Sequence, residues 1–178
     1  MALEEWVTKG TAPPPSRITR VADGTAVTAE SIEMPAVPGL APGANQIVSP
    51  VDWVDPPVRI DNVYGARVCA VDADGNEIAG IRLPPIAVPL GTHTGWNVYR
   101  AQPGELADRD GSLIPFARTK TEREAAGDPR PSLEERHGSR EAYVAKIEAA
   151  AAALVAERLL LPADAAAYVT AAEACDRF

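Results

Sequence analysis

Residues 130–160 read RPSLEERHGSREAYVAKIEAAAAALVAERLL, and this stretch decides the fold class. Ser132 followed three residues later by Glu135 is a capping box, in which each side chain satisfies the other residue's orphaned backbone N–H. It opens a short helix that Gly138 ends. Ser139 then caps a long helix from about Arg140 to Leu160, with Tyr143, Ile147, Leu154, Val155 and interleaved alanines as its buried stripe. Pro162 suits the first turn of a final helix, and Asp164 sits near its positive N-terminal end. Tyr168, Val169 and Ala172 form that helix's apolar face. About two residues join the two long helices, so they are expected to pair antiparallel.

Working outward, proline divides the chain. Sixteen of seventeen prolines lie at or before Pro131, and the last 47 residues hold 15 of the 33 alanines. The spacing of Thr121 and Glu124 predicts a capped helix within 114–127, closed by Gly127. Upstream, 67–83 carries the clearest strand pattern. Val68 and Ala70 face one way and Cys69 and Val71 the other; Asp72 to Asn76 turns; Ile78 and Ile81 return; Pro84-Pro85 ends the hairpin. Val88 to Asn97 follows as another ordered piece. Residues 16–28 read as a second hairpin around Asp23-Gly24. Met34 to Asp61 holds six prolines and is expected to cross a surface as an extended meander, with Trp53 as its anchor. At the N-terminus, Leu3, Trp6 and Val7 share one face of a helix of two turns that Lys9 and Gly10 close, and Pro13-Pro14-Pro15 stops it. The expected class is α+β: short antiparallel strands, hairpins and Pro-rich extended segments over about 16–115, then helices over about 119–176. The whole of 1–178 reads as one region, with a helix end at 1–10, a β-rich part at 11–115 and a helical part at 116–178.

Composition narrows the function. The 178 residues carry a net charge of −8 and a pI near 4.8, which disfavours nucleic acid because a phosphate backbone demands a basic surface. No apolar run reaches the ~18 residues of a membrane span. Met1 to Gly10 has two glutamates and no apolar h-region, so it is not a signal peptide, and the default localisation is cytoplasmic. Leu, Ile, Val and Phe number 38, about 21% of the chain, so a thin core is expected. Cys69 and Cys175 lie 106 positions apart and read as reduced, buried small hydrophobes.

No complete catalytic constellation is present. His93, in Gly91-Thr-His-Thr-Gly95-Trp96-Asn97, is the one weak catalytic candidate, because small neighbours leave its imidazole accessible. It lacks a local nucleophile and acid, and an ordinary turn or packing role is the expectation. His137 reads as a partner of a helix C-terminus. Asp72 to Glu77 resembles a calcium loop superficially, but Gly falls at position 4 and Leu83 at position 12, so a hairpin turn is expected. Arg118, Lys120 and Arg123 alternate with Glu122 and Glu124 and read as a solvated face. There is no G-x-S-x-G, P-loop, G-x-G-x-x-G or H-E-x-x-H, and no metal or cofactor is expected.

Several phrases in register add a resemblance. They are Leu3-Glu-Glu-Trp6-Val7-Thr-Lys-Gly10-Thr-Ala-Pro13-Pro14-Pro15-Ser16-Arg17, Val71-Asp-Ala-Asp-Gly-Asn-Glu-Ile-Ala-Gly-Ile-Arg-Leu83, Val88-Pro-Leu-Gly-Thr-His-Thr-Gly-Trp-Asn97, Ile114-Pro-Phe-Ala-Arg-Thr-Lys120 and Gly127-Asp-Pro-Arg-Pro-Ser-Leu-Glu-Glu-Arg136. Together, over about Leu3 to Ala174, they resemble the C-terminal part of bacterial alpha/beta hydrolase domain-containing proteins. The resemblance implies an intact esterase-like enzyme with Ser, acid and His in that chain order, acting on esters or related acyl bonds. It places the nucleophile elbow upstream of Met1, so the chain alone is expected to be inactive and none of the family's catalytic residues maps onto it. The implied partner is the missing N-terminal hydrolase core, in the same or another chain, with self-association possible. An intact family member could be exported. Thr19 and His93 depart from the family's Pro and aromatic at those positions. His93, Trp96 and Asn97 are the substrate-lining candidates that follow. The alternative is a non-catalytic binding or subunit module that completes a partner chain.

Overall fold

The computed structural model describes residues 2–38, 40, 67–99, 106–107 and 110–178. In chain order these form α1 (Ala2–Lys9), β1 (Ala26–Thr28), β2 (Arg67–Cys69), α2 (Pro84–Ala87), β3 (Gly91–Thr94), β4 (Asn97–Val98), β5 (Leu106–Ala107), β6 (Ser112–Pro115), α3 (Lys120–Ala126), α4 (Leu133–His137), α5 (Arg140–Ala156) and α6 (Pro162–Glu173), with a short 3-10 turn at Ala29–Ser31. Among the described residues the strands make three two-stranded antiparallel pairs, β1–β2, β3–β6 and β4–β5. Small antiparallel strands ahead of a helical C-terminal part give the α+β class.

The helices follow their punctuation. Both reciprocal bonds of the Ser132–Glu135 box are present, and the Ser139 hydroxyl accepts from the Ala142 N–H. Helix α5 ends at Ala156, and Glu157 to Leu161 join it to α6. That link is longer than the two residues expected. Tyr143, Ile147 and Ala172 are buried together, flanked by Val88, Leu90, Tyr168, Val169 and Phe178. This is the main apolar cluster of the described residues, and α2 packs against α5 beside it. Pro84 and Pro85 open α2 instead of merely ending a strand, because proline's fixed φ suits a first helical turn.

Three expectations are corrected. The capping box of α3 is Thr119–Glu122, two residues before the Thr121–Glu124 pair, and residues 112–115 are strand. Only Thr119 has the extended backbone an N-cap requires, and Gly127 closes the helix in the left-handed conformation as expected. The 16–28 hairpin does not form. Its Asp23-Gly24 turn exists, with the Gly24 N–H bonded to the Val21 carbonyl, but Ile18 and Val21 are exposed, and β1 pairs with β2 in the register Ala26 with Cys69. The 67–83 hairpin keeps its turn and one bridge, Val71 to Glu77, and its return arm, 78–83, is not a strand. Trp53 and most of the proposed meander lie outside the described residues.

A buried polar cross-link holds the strands to α4. Arg130 is 2% exposed. Its Nε and Nη2 donate to the two Asp128 carboxylate oxygens at 2.9 and 2.6 Å, and its Nη1 donates to Thr92 Oγ1 at 2.8 Å and to the Ile114 carbonyl at 3.1 Å. Thr92 Oγ1 in turn donates to the Asp74 carbonyl, and Asp74 pairs with Arg136. Phe116 is buried beneath both guanidinium groups, whose carbons lie 5.1 and 4.2 Å from its ring centre. The turn at 72–76, the β3–β6 ladder and α4 therefore form one unit. Close approach needs Gly91: a Cβ there would lie 2.5 Å from the Ile114 carbonyl oxygen and 2.9 Å from Pro115 Cα.

Candidate functional site

The Asp72–Asn76 turn is an Asx turn. One carboxylate oxygen of Asp72 accepts from the N–H groups of Asp74 and Asn76, both at 3.0 Å, and Gly75 takes φ +80°. The turn thrusts Asn76 inward until it is fully buried. There its amide donates to the Gly91 carbonyl at 3.2 Å and accepts from the His93 N–H at 2.7 Å. Asn76 thus fixes the backbone of His93, a role that its place in a surface-looking turn did not suggest. The signal available was an Asn immediately after the turn glycine.

His93 lines a cavity of about 820 Å³, within the ~300–1,000 Å³ range of small-molecule sites. Ile32, Met34, Val37 and Leu40 form one side, Val68 and Val71 another, and His93, Thr94, Gly95 and Trp96 a third. Glu77 and Cys69 also reach it. The Met34–Leu40 segment is held by its own turns, from the Val37 N–H to the Pro35 carbonyl and from the Leu40 N–H to the Val37 carbonyl. Burial holds the His93 pKa below the ordinary 6.5, opposed by a hydrogen bond to the Pro85 backbone. The ring is neutral at physiological pH.

The structure brings His93 and Trp96 to the same cavity wall. Asn97 is exposed, pairs with Ala107 in the β4–β5 ladder, and is not among the lining residues. The Met34–Leu40 contribution was hidden from sequence reading, because proline-interrupted segments carry no periodicity. His137, read as a partner of a helix C-terminus, is the last residue of α4, and its ring is buried. Its Nε2 lies 3.1 Å from the Pro89 carbonyl, its Nδ1 has no partner, and Tyr143 and Phe178 meet it edge-on with centroids at 5.1 and 5.9 Å. Burial lowers its pKa first; the charges of Lys146 and Arg136 add to that, and the Pro89 bond opposes it. Arg123 pairs with Glu135 and Glu124, and Lys120 with Glu124, while Arg118 donates to the Asp176 backbone carbonyl. Both cysteines are free and half-buried. Among the described residues no group of three or more His, Cys, Asp and Glu side chains gathers as a metal site, and no helix is long and apolar enough to cross a membrane.

A family model for the alpha/beta hydrolase domain matches residues 1–170. The chain belongs to the alpha/beta hydrolase domain family. No curated protein and no solved structure matches it. For an alpha/beta hydrolase family member, the site is notable for what surrounds His93. Trp96 and the aliphatic side chains of Ile32, Met34, Val37 and Leu40 line the same cavity, and the His93 backbone is pinned by Asn76.

Proposed function

We propose that this chain is the C-terminal region of an alpha/beta-hydrolase-like protein and supplies part of its substrate-lining wall. The intact protein hydrolyses esters or related acyl bonds through an acyl-enzyme. The carrying observation is the apolar cavity walled by His93 and Trp96 in a chain of this family that holds no G-x-S-x-G. His93 is read here as a contact residue: among the described residues its ring is bonded to the Pro85 backbone and to no hydroxyl or thiol. The 178-residue chain alone turns over no p-nitrophenyl ester. In a full-length protein carrying this region, Trp96→Ala lowers kcat/KM about fivefold or more while Tm moves by less than about 2 °C. The reverse pattern makes Trp96 a packing residue and removes the reading.

The second reading, a non-catalytic module completing a partner chain, draws on α1. Its polar side is tied down: Glu5 pairs with Arg158 at 2.6 Å, and Arg158 also donates to the Ala12 carbonyl at 2.9 Å. Its apolar side, Leu3, Trp6 and Val7, faces outward, with 67%, 54% and 76% exposure. Such a patch favours association.

A further inference from the structure

The large cavity shares a ridge with a smaller one. Glu77, His93, Thr94 and Gly95 line both, and beyond the ridge lies a crevice of about 290 Å³ that also includes Arg82 and Ile86. The charges on the two sides differ. Among the described residues lining the large cavity, Glu77 is the one charged side chain and no cation is present. The nearest cation across the ridge, Arg82, is already engaged by Asp72 at 2.8 Å and by the Ile86 carbonyl at 3.0 Å. Away from the ridge, the described lining is mostly apolar: Ile32, Met34, Val37, Leu40, Val68 and Val71.

We propose that the large cavity holds the aliphatic chain of an uncharged ester, with its head at the Glu77–His93 ridge, and that Glu77 turns away the corresponding carboxylate. This rests on the substrate-lining reading above and adds its specificity. Aliphatic walls accept the chain by removing apolar surface from water. A carboxylate head would have to shed water beside a like charge, and none of the described lining residues is a cation that could replace that water. The ester carries no such charge. In an enzyme that makes an acid from an ester, the same arrangement separates substrate from product at the point of binding, so the acid leaves without competing.

The test compares methyl octanoate with octanoate, below their aggregation limits, on the 178-residue chain at pH 8. Titration calorimetry gives the affinities, and the amide resonances of Thr94 and Gly95 locate the binding. The ester is expected to bind at least about tenfold tighter than the acid, a difference of about 1.4 kcal/mol. Glu77 is exposed, so Glu77→Gln preserves the fold, which circular dichroism checks, and it is expected to narrow the gap below about threefold. Equal affinities in the wild-type chain overturn the specificity and leave the cavity as a chain-binding wall. A tenfold preference that Glu77→Gln leaves intact overturns the role of Glu77. If neither compound binds or moves the Thr94 and Gly95 resonances, the substrate-lining reading itself fails.

Discussion

Asp128→Ala is the most informative single change in the scaffold. The substitution removes both carboxylate oxygens that Arg130 grips at 2.6 and 2.9 Å. It leaves a guanidinium, 2% exposed, facing the Thr92 hydroxyl and the carbonyls of Ile114 and Pro115. Neutral acceptors do not compensate a buried full charge. Removing one partner of a buried pair costs about 3–5 kcal/mol, and at roughly 2–4 °C per kcal/mol for a chain of this size Tm falls by about 6–20 °C. Because Arg130 also holds Thr92, and Thr92 bonds the Asp74 carbonyl, the loss extends to the turn that carries Asn76 and to the backbone of His93. Urea unfolding followed by far-UV circular dichroism gives the free energy, and the His93 amide resonance reports the site. Arg17→Ala, at the exposed pair with Glu157, is the comparison and is expected to change stability by no more than about 1 kcal/mol. If Asp128→Ala also costs less than about 1 kcal/mol, the cross-link does not organise the fold and the reasoning is refuted.

Other outcomes follow from the same structure. Thr119→Ala destabilises by about 1 kcal/mol through the lost cap of α3, whereas Thr121→Ala is near neutral; equal losses in thermal unfolding would contradict the cap assignment. Gly91→Ala forces a Cβ against the Ile114 carbonyl at 2.5 Å and costs about 1–3 kcal/mol; hydrogen exchange of β3 and β6 amides should rise, and unchanged protection would show that the ladder adapts. His137 has a folded pKa below its unfolded value near 6.5, so the unfolded chain binds the extra proton first. Its contribution is complete above pH 6.5 and is lost as pH falls toward the folded pKa. His137→Phe is therefore expected to flatten the stability–pH curve between pH 7 and 5, and an unchanged slope refutes it.

The helical part was legible because its signals are local. Ser132, Glu135, Gly138, Ser139 and Pro162 each act within one turn of their own backbone, and every one occupies the predicted kind of position. Thr121 misled because Thr119, two residues earlier, offers the same chemistry with its own Glu at N3. The strands were less legible for a different reason. β1 and β2 are separated by about 40 residues, and three-residue strands carry too little alternation to name a partner. The turn residues Asp23-Gly24 and Asp72 to Asn76 were read correctly as turns, but a turn between two β-like runs does not require them to pair. The site was half legible. His93 and Trp96 stood out by residue type and small neighbours. Their opposite wall, Ile32 to Leu40, and the inward Asn76 depend on contacts across 15 or more residues, as does the meeting of the buried His137 ring with the Pro89 carbonyl.

The central claim is that this chain is the substrate-lining C-terminal region of a larger hydrolase. The most direct measurement is the genomic sequence immediately upstream of the Met1 codon, read together with the mass of the native protein. The account predicts an open in-frame extension encoding G-x-S-x-G, then an acid, then a histidine shortly before Leu3, and a native mass well above 18.7 kDa. An in-frame stop and a ribosome-binding site directly ahead of Met1, with a native chain of 18.7 kDa, would contradict it.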